Sequence, residues 1–227
     1  MSDLLRQINP QFIVMLYRVP VLLVSFMTHE LSHALAAYRC GDTTAKEMGR
    51  ISFNPIRHID PIGALLLLVA GFGWAKPVPI NPDNFRHKKT GIIVTCLAGP
   101  FSNILLSIVF GAAFSVFFMH IRRTSFLPVE GAEQIILTLL YQFFIINIML
   151  ASFNLLPIPP LDGSKVLFSL LPDRIYYDFI LRYERYGFVI LLALSFSGLL
   201  MRILGPVIDA LTLFVNSIID PITMLFL

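Results

Sequence analysis

His29-Glu30-Leu31-Ser32-His33 is the run in this chain whose residue types and spacing are best suited to chemistry. On a helix, positions four apart share a face, so His29 and His33 can both turn a ring nitrogen towards one metal ion. Glu30 follows the first histidine and projects to the side, where it can serve as base towards water activated by that metal. The setting adds weight to the spacing. Three ionisable groups inside an apolar stretch of membrane length are costly, and such groups usually mark a functional site.

Composition supports that setting. The 227 residues are 56% hydrophobic and 14% charged, with a mean hydropathy of +0.78. Soluble domains average about a quarter charged residues, so this is the composition of an integral membrane protein. The net charge of +3 is what basic loops on one membrane face produce, and nucleic-acid binding need not be invoked. Cys40 and Cys96 lack Cys-x-x-Cys or Cys-His spacing and are expected to be free thiols. The first apolar run is too long for a cleavable signal peptide, has no small-residue cleavage site and contains the histidine pair, so it is expected to stay in the mature protein.

The elements that must position these groups follow from the apolar runs. Spans are expected from Phe12 to about Tyr38, from Gly91 to about His120, and from about Ile135 to Leu156. Pro61 to Trp74 is apolar but too short to cross straight, and reads as a re-entrant or interfacial segment. Trp74 to Pro82 is proline-spaced and extended, either a substrate-facing rim or a membrane-surface loop. Arg50 to Asn54 alternates like a short strand. Ser164 to Tyr186 is mixed in charge, a surface helix or loop. Tyr186 to Leu204 is apolar, Gly205-Pro206 is expected to break it, and Val207 to Leu227 is apolar with Asp209, Thr212, Asn216 and Asp220 on one face. The fold class expected is an all-α polytopic membrane protein forming a single domain over 1–227. It would have about five to six transmembrane or re-entrant helical segments and a short extended or β element near the active site. The catalytic core would cover about 12–170, followed by C-terminal helical segments over 186–227. Whether 61–74 and 207–227 cross the bilayer is left open by their lengths and polarity.

Basic residues orient this scheme. If Pro61 to Trp74 does not cross, the stretches 39–60, 76–89 and 159–185 share one face and carry twelve of the 17 Lys and Arg, against five on the other. The positive-inside bias puts the first face in the cytoplasm and the N-terminus outside. If both final segments cross, the C-terminus is inside. The first span and the Ile135 span then run in the same direction, bringing Asp162 to the depth of His33. Asp162 is therefore the best candidate for a third ligand, ahead of Asp42, Glu47, His58, Asp60 and His87, which read as solvated loop residues. Its bland alternative is a turn-forming Asp before Gly163.

Taken together, His29-Glu30-x-x-His33, Ala98-Gly99-Pro100 and Asn154-x-x-Pro157-x-x-Pro160-Leu161-Asp162-Gly163 resemble the site-2 protease family of intramembrane zinc metalloproteases, over about residues 12–170. The resemblance implies one zinc ion bound by His29, His33 and Asp162, with Glu30 catalytic. Asn154 matches the family asparagine thought to position substrate or steady the oxyanion; an asparagine bonding helix to helix would serve as well, and Asn103 carries the same two readings. Ser164 stands where many members have a second glycine, and no PDZ or CBS domain is recognised, as in a compact form of the family. The function implied is peptide-bond hydrolysis in membrane-spanning substrates near the cytoplasmic face of the cell membrane. The partners are a transmembrane protein substrate and the lipid bilayer. The competing class is non-proteolytic: an inactive relative binding transmembrane clients, or a zinc carrier. Retention of all four motif residues weighs against the first. Ligands at one depth, with no inverted repeat, weigh against the second. Substrate identity, regulatory partners and oligomeric state have no sequence signal.

Overall fold

A computed structural model describes residues 10–63, 73–124, 129 and 131–226, and their side chains except for 10–16, 173 and 176–185. Long apolar runs form the long helices: α1 (Pro10–Cys40), α3 (Lys88–Thr124), α4 (Ala132–Asn154) and α7 (Leu199–Met224). Between them lie α2 (Thr44–Glu47), α5 (Asp162–Ser169) and α6 (Asp173–Phe196). Four stretches are long and apolar enough to cross a membrane: Tyr17–Cys40, Lys88–Thr124, Ala132–Asn154 and Leu199–Met224. The chain is an all-α polytopic membrane protein.

Inside a bilayer, burying apolar area gains little over contact with lipid, so helix association rests on close packing and polar bonds. α3 is built for this. Every fourth residue from Gly91 (Gly91, Thr95, Gly99, Asn103, Ser107 and Gly111) is small or polar and buried, a row facing the other helices. Phe101, Leu105 and Val109, on another face, are exposed as lipid-facing residues would be. α3 touches α1, α4, α5 and α7. At its far end, Gly111 lies against Ile219 of α7 and Phe144 of α4.

The loops gather at the other end of the bundle. Arg86 donates its N–H to the Cys40 carbonyl at 3.0 Å, and Lys89 Nζ donates to the Leu171 carbonyl at 3.1 Å. The three basic stretches thus meet where α1 and α4 end and α3 begins. Asp42 ties the first two together. Its side chain is fully buried and accepts from Thr44 N–H (3.0 Å) and Oγ1 (2.5 Å), Asn84 Nδ2 (3.0 Å) and Asn81 N–H (2.8 Å). Burial opposes its ionisation, but the Thr44, Asn81 and Asn84 donors outweigh this and hold the carboxyl below its ordinary value. A carboxyl with a lowered folded pKa stabilises above its unfolded value of about 3.9 and loses that contribution as pH falls through the folded value. Asp42→Ala should therefore loosen the 41–87 loops at neutral pH, by roughly 1–3 kcal/mol for each buried donor left unpaired. Limited proteolysis in detergent would read this as faster cutting; acidifying the wild type below about pH 4 should approach the same behaviour.

Two expectations from sequence are corrected. Arg50 to Asn54 is not a strand: the Arg50 N–H returns to the Ala45 carbonyl, and the Asn54 N–H is taken by Ser52 Oγ, so the segment turns on itself with no partner strand. The one β-type pairing among the described residues is an antiparallel bridge between Ile59 and Ala75, which sets the extended 74–81 stretch against Pro55–His58. Gly205-Pro206 does not break the chain either. The break is at Gly198, whose left-handed conformation (φ 71°) ends α6, while Pro206 lies inside α7; membrane helices tolerate proline when the bundle satisfies the freed carbonyl. Of the last two segments, only α7 is long and apolar enough to cross among the described residues. Tyr186–Phe196 is apolar but short, and Asp220, Thr223 and Met224 of α7 lie beside Phe118 and Met119 near the far end of α3. Of the segment 61–74, residues 61–63 are helical and 64–72 lie outside the described residues.

Candidate metal centre

α1 carries His29 and His33 one turn apart, both buried. Their Nε2 atoms are 3.0 Å from each other. Asp162 comes from the first residue of α5. Pro157, Pro159 and Pro160 cannot continue α4, and the chain turns back so that Asp162 Oδ2 sits 3.2 Å from His29 Nε2 and 3.1 Å from His33 Nε2. That turn is tight. A Cβ on Gly163 would fall 2.3 Å from the Leu155 carbonyl oxygen, so only glycine lets α5 start against the end of α4. Leu161 and Leu156 pack with Leu204 of α7 and hold the turn from outside.

α3 supplies the backing. His33 Nδ1 meets the Thr95 carbonyl at 2.6 Å. A carbonyl only accepts, so Nδ1 carries the proton and Nε2 presents a lone pair. His29 Nδ1 meets Asn103 Oδ1 at 2.6 Å, and Asn103 is bonded in turn to Asn147 of α4. Gly99 lies directly against both rings: a Cβ there would fall 2.4 Å from His33 Nε2 and 2.6 Å from His29 Nε2.

Glu30 is half-buried beside the triad and turns the other way. Its Oε2 accepts from the Val78 N–H at 2.8 Å, on the extended 74–81 stretch. Arg50 is buried close enough for its charge to attract Glu30, and its guanidinium donates to the Lys76 carbonyl. Asn154 ends α4 with its Nδ2 donating to the Leu150 carbonyl at 3.0 Å, away from the triad's own bonds. Four of the five competing residues are occupied elsewhere. Asp42 knots the loops as described above, and Glu47 accepts from Thr43 Oγ1. His58 is bonded through Nε2 to the Ser52 carbonyl, and Asp60 accepts from the N–H groups of Ile62 and Gly63. Cys40 and Cys96 are not joined in a disulfide. Sequence reasoning missed the parts of Thr95, Asn147, Val78 and Arg50. Polar residues inside spans were a usable signal for the first two; nothing local marks Val78.

The donor set suits zinc. Among the described residues His29, His33 and Asp162 are the one group of three or more metal-ligating side chains whose ligand atoms converge, all within 4.8 Å of one another. Lone-pair atoms at 3.0–3.2 Å repel unless a proton or cation lies between them. Tetrahedral zinc with bonds of about 2.0–2.1 Å would space its ligand atoms by roughly 3.3 Å, close to what is seen.

Comparison with known proteins agrees. The model of Peptidase family M50 matches residues 119–197, a stretch that holds Asn154 and Asp162 and follows the histidine pair. YwhC of Bacillus subtilis, described by inference as a zinc metalloprotease, is 41% identical over 203 residues, covering 87% of this chain and 88% of its own length. MJ0611 of Methanocaldococcus jannaschii, similarly described, is 32% identical over 162 residues, or 70% of this chain and 73% of its own. Rip2 of Mycolicibacterium smegmatis is 27% identical over 158 residues, 64% of this chain and 53% of its own. No solved structure matches. On the strength of the nearly full-length likeness to YwhC, the chain belongs to peptidase family M50, the site-2 protease family of zinc metalloproteases.

Proposed function

We propose that this protein is an intramembrane zinc endopeptidase that cuts membrane-spanning substrates near the cytoplasmic face of the cell membrane. The observation that carries the reading is the convergence of two imidazole nitrogens and a carboxylate oxygen beside a half-buried Glu30. In this reading His29, His33 and Asp162 hold one zinc ion. Bound there, zinc supplies Lewis acidity, polarising a peptide carbonyl and making water nucleophilic near neutral pH. Glu30 takes the proton from the attacking water and passes it to the leaving amine. To do so it exchanges its bond to the Val78 N–H for one to water.

The substrate must unwind, because a helical backbone keeps its carbonyls in hydrogen bonds. The extended 74–82 stretch, which already offers Val78 N–H to Glu30, is suited to receive unwound substrate as an added strand. For Asn154 to steady an oxyanion, its amide would have to leave the Leu150 carbonyl. The cytoplasmic assignment rests on the basic stretches gathered at the triad's end of the bundle, which also puts the N-terminus outside.

Glu30→Gln tests the reading with a co-expressed membrane-anchored reporter. Zinc should still bind, while cleavage falls by roughly 10²–10⁴-fold. Wild-type cleavage by a zinc-loaded Glu30→Gln protein would remove Glu30 from the mechanism.

A further inference from the structure

We infer that Asn147 and Asn103 form a relay that sets which nitrogen of His29 carries the proton, making both of them positioning residues for the metal. The inference rests on the ligand set proposed above.

The relay starts at a group with no choice. The Phe143 carbonyl can only accept, and Asn147, one turn further along α4, donates to it from Nδ2 at 2.8 Å. The same Nδ2 donates to Ser25 Oγ at 2.9 Å. Both contacts turn the Asn147 oxygen towards Asn103, whose Nδ2 donates to it at 2.7 Å. Asn103 must then present its own oxygen to His29 Nδ1, at 2.6 Å. An amide oxygen only accepts, so Nδ1 is protonated and Nε2, the atom facing His33 and Asp162, has the lone pair.

If the Asn103 amide were reversed, its NH₂ would face Nδ1, the proton would move to Nε2, and the ring could no longer ligate. His33 reaches the same state through one backbone carbonyl, that of Thr95. At the height of His29, α3 offers a side chain instead, and a side-chain amide can turn over unless something holds it. Asn147 is what holds it. Ser25, Asn103 and Asn147 are all fully buried, so water cannot substitute for any of these bonds. The relay also closes on itself, since Ser25 and His29 lie one turn apart on α1.

A purely structural asparagine, bolting α3 to α4, would alter stability without altering metal affinity. The purified full chain in detergent separates the two roles. Zinc affinity is read by chelator competition, ligand geometry by the visible spectrum of the Co²⁺ form, and stability by thermal unfolding without metal. Asn103→Leu should weaken zinc binding by about 10- to 100-fold. Asn147→Leu, which touches no ligand, should weaken it to a similar degree and shift the Co²⁺ spectrum. The double variant should be no weaker than Asn103→Leu alone, because the two act through one bond. Asn103→Asp should hold zinc within a few-fold of wild type, since a carboxylate also accepts from Nδ1. Wild-type zinc affinity in Asn147→Leu, or additive losses in the double variant, would overturn the relay. If the leucine variant does not fold, Asn147→Ala removes the same amide with less steric demand and is read the same way. The parent reading is checked separately: it stands if the wild type binds zinc and His33→Ala releases it, and a wild type that takes up no zinc overturns both.

Discussion

Asp162→Ala is expected to leave the protein unable to retain zinc through purification. Two neutral imidazoles remain after the substitution, and the one negatively charged ligand, the group 3.1–3.2 Å from both Nε2 atoms, is gone. The fold should survive. The turn that presents residue 162 is held by Leu161 and Leu156 against Leu204, and by the close approach of Gly163 to Leu155, none of which involves the carboxylate. Loss of a helix-start acid from α5 costs only about 0.3–1 kcal/mol. Elemental analysis of the purified variant, with circular dichroism for helix content, checks the prediction. Full zinc occupancy in a folded Asp162→Ala protein would exclude Asp162 as a required ligand.

Gly99→Ala should abolish zinc uptake, and the overlap should also cost the metal-free protein about 1–3 kcal/mol of stability. The added methyl group would lie 2.4 Å from His33 Nε2 and 2.6 Å from His29 Nε2 and Cε1. Neither ring can swing clear, because each is tethered through Nδ1 at 2.6 Å to an element of α3 itself. The atoms that must move are those that would bind the ion. The gain from alanine over glycine within a helix, roughly 0.5–1 kcal/mol, offsets only part of that cost, so zinc binding should fall far more than stability does. Gly205→Ala is the control: a Cβ at that position of α7 meets nothing within 4 Å, and zinc uptake should be unaffected. Equal zinc affinity in the Gly99→Ala and Gly205→Ala proteins would mean that the metal does not sit against Gly99.

What could be read beforehand, and what could not, divides along physical lines. The shared face of His29 and His33 follows from helical spacing alone, and the depth of Asp162 from the bias of basic loops; both are local or additive signals. The meeting of these three side chains was therefore legible. The Arg50 to Asn54 alternation misled because a strand needs a partner, and partnership is a tertiary property that the pattern does not contain. Gly205-Pro206 misled for a related reason: a proline in a span breaks or passes according to what its neighbours offer, whereas the helix ends at Gly198, where the backbone takes a left-handed turn. Gly99 is marked in the sequence only as part of the Ala98-Gly99-Pro100 motif; that it lies against the two imidazoles depends on the register of α3 against α1. Asn103 and Asn147 are polar groups within spans, a signal the sequence carries. Their joint orientation becomes visible only when the Phe143 carbonyl at one end is seen to dictate the His29 proton at the other.

The three converging side chains are far apart in synthesis. Asp162 follows His33 by 129 residues, and Asn103 follows His29 by 74. At about 5–20 residues per second, a ribosome places the histidine pair in the membrane roughly 6–26 s before it makes the third member of the set. Throughout that interval the first helix has two bare imidazoles, unbacked by α3 for part of the time and unable to hold an ion firmly. If these three side chains hold the zinc, it would be acquired by the assembled bundle and not by the nascent chain, and a polypeptide stopped short of residue 162 should stay empty. On the proposed ligand set, loading would follow assembly of the core, and any hydrolytic activity would wait for it.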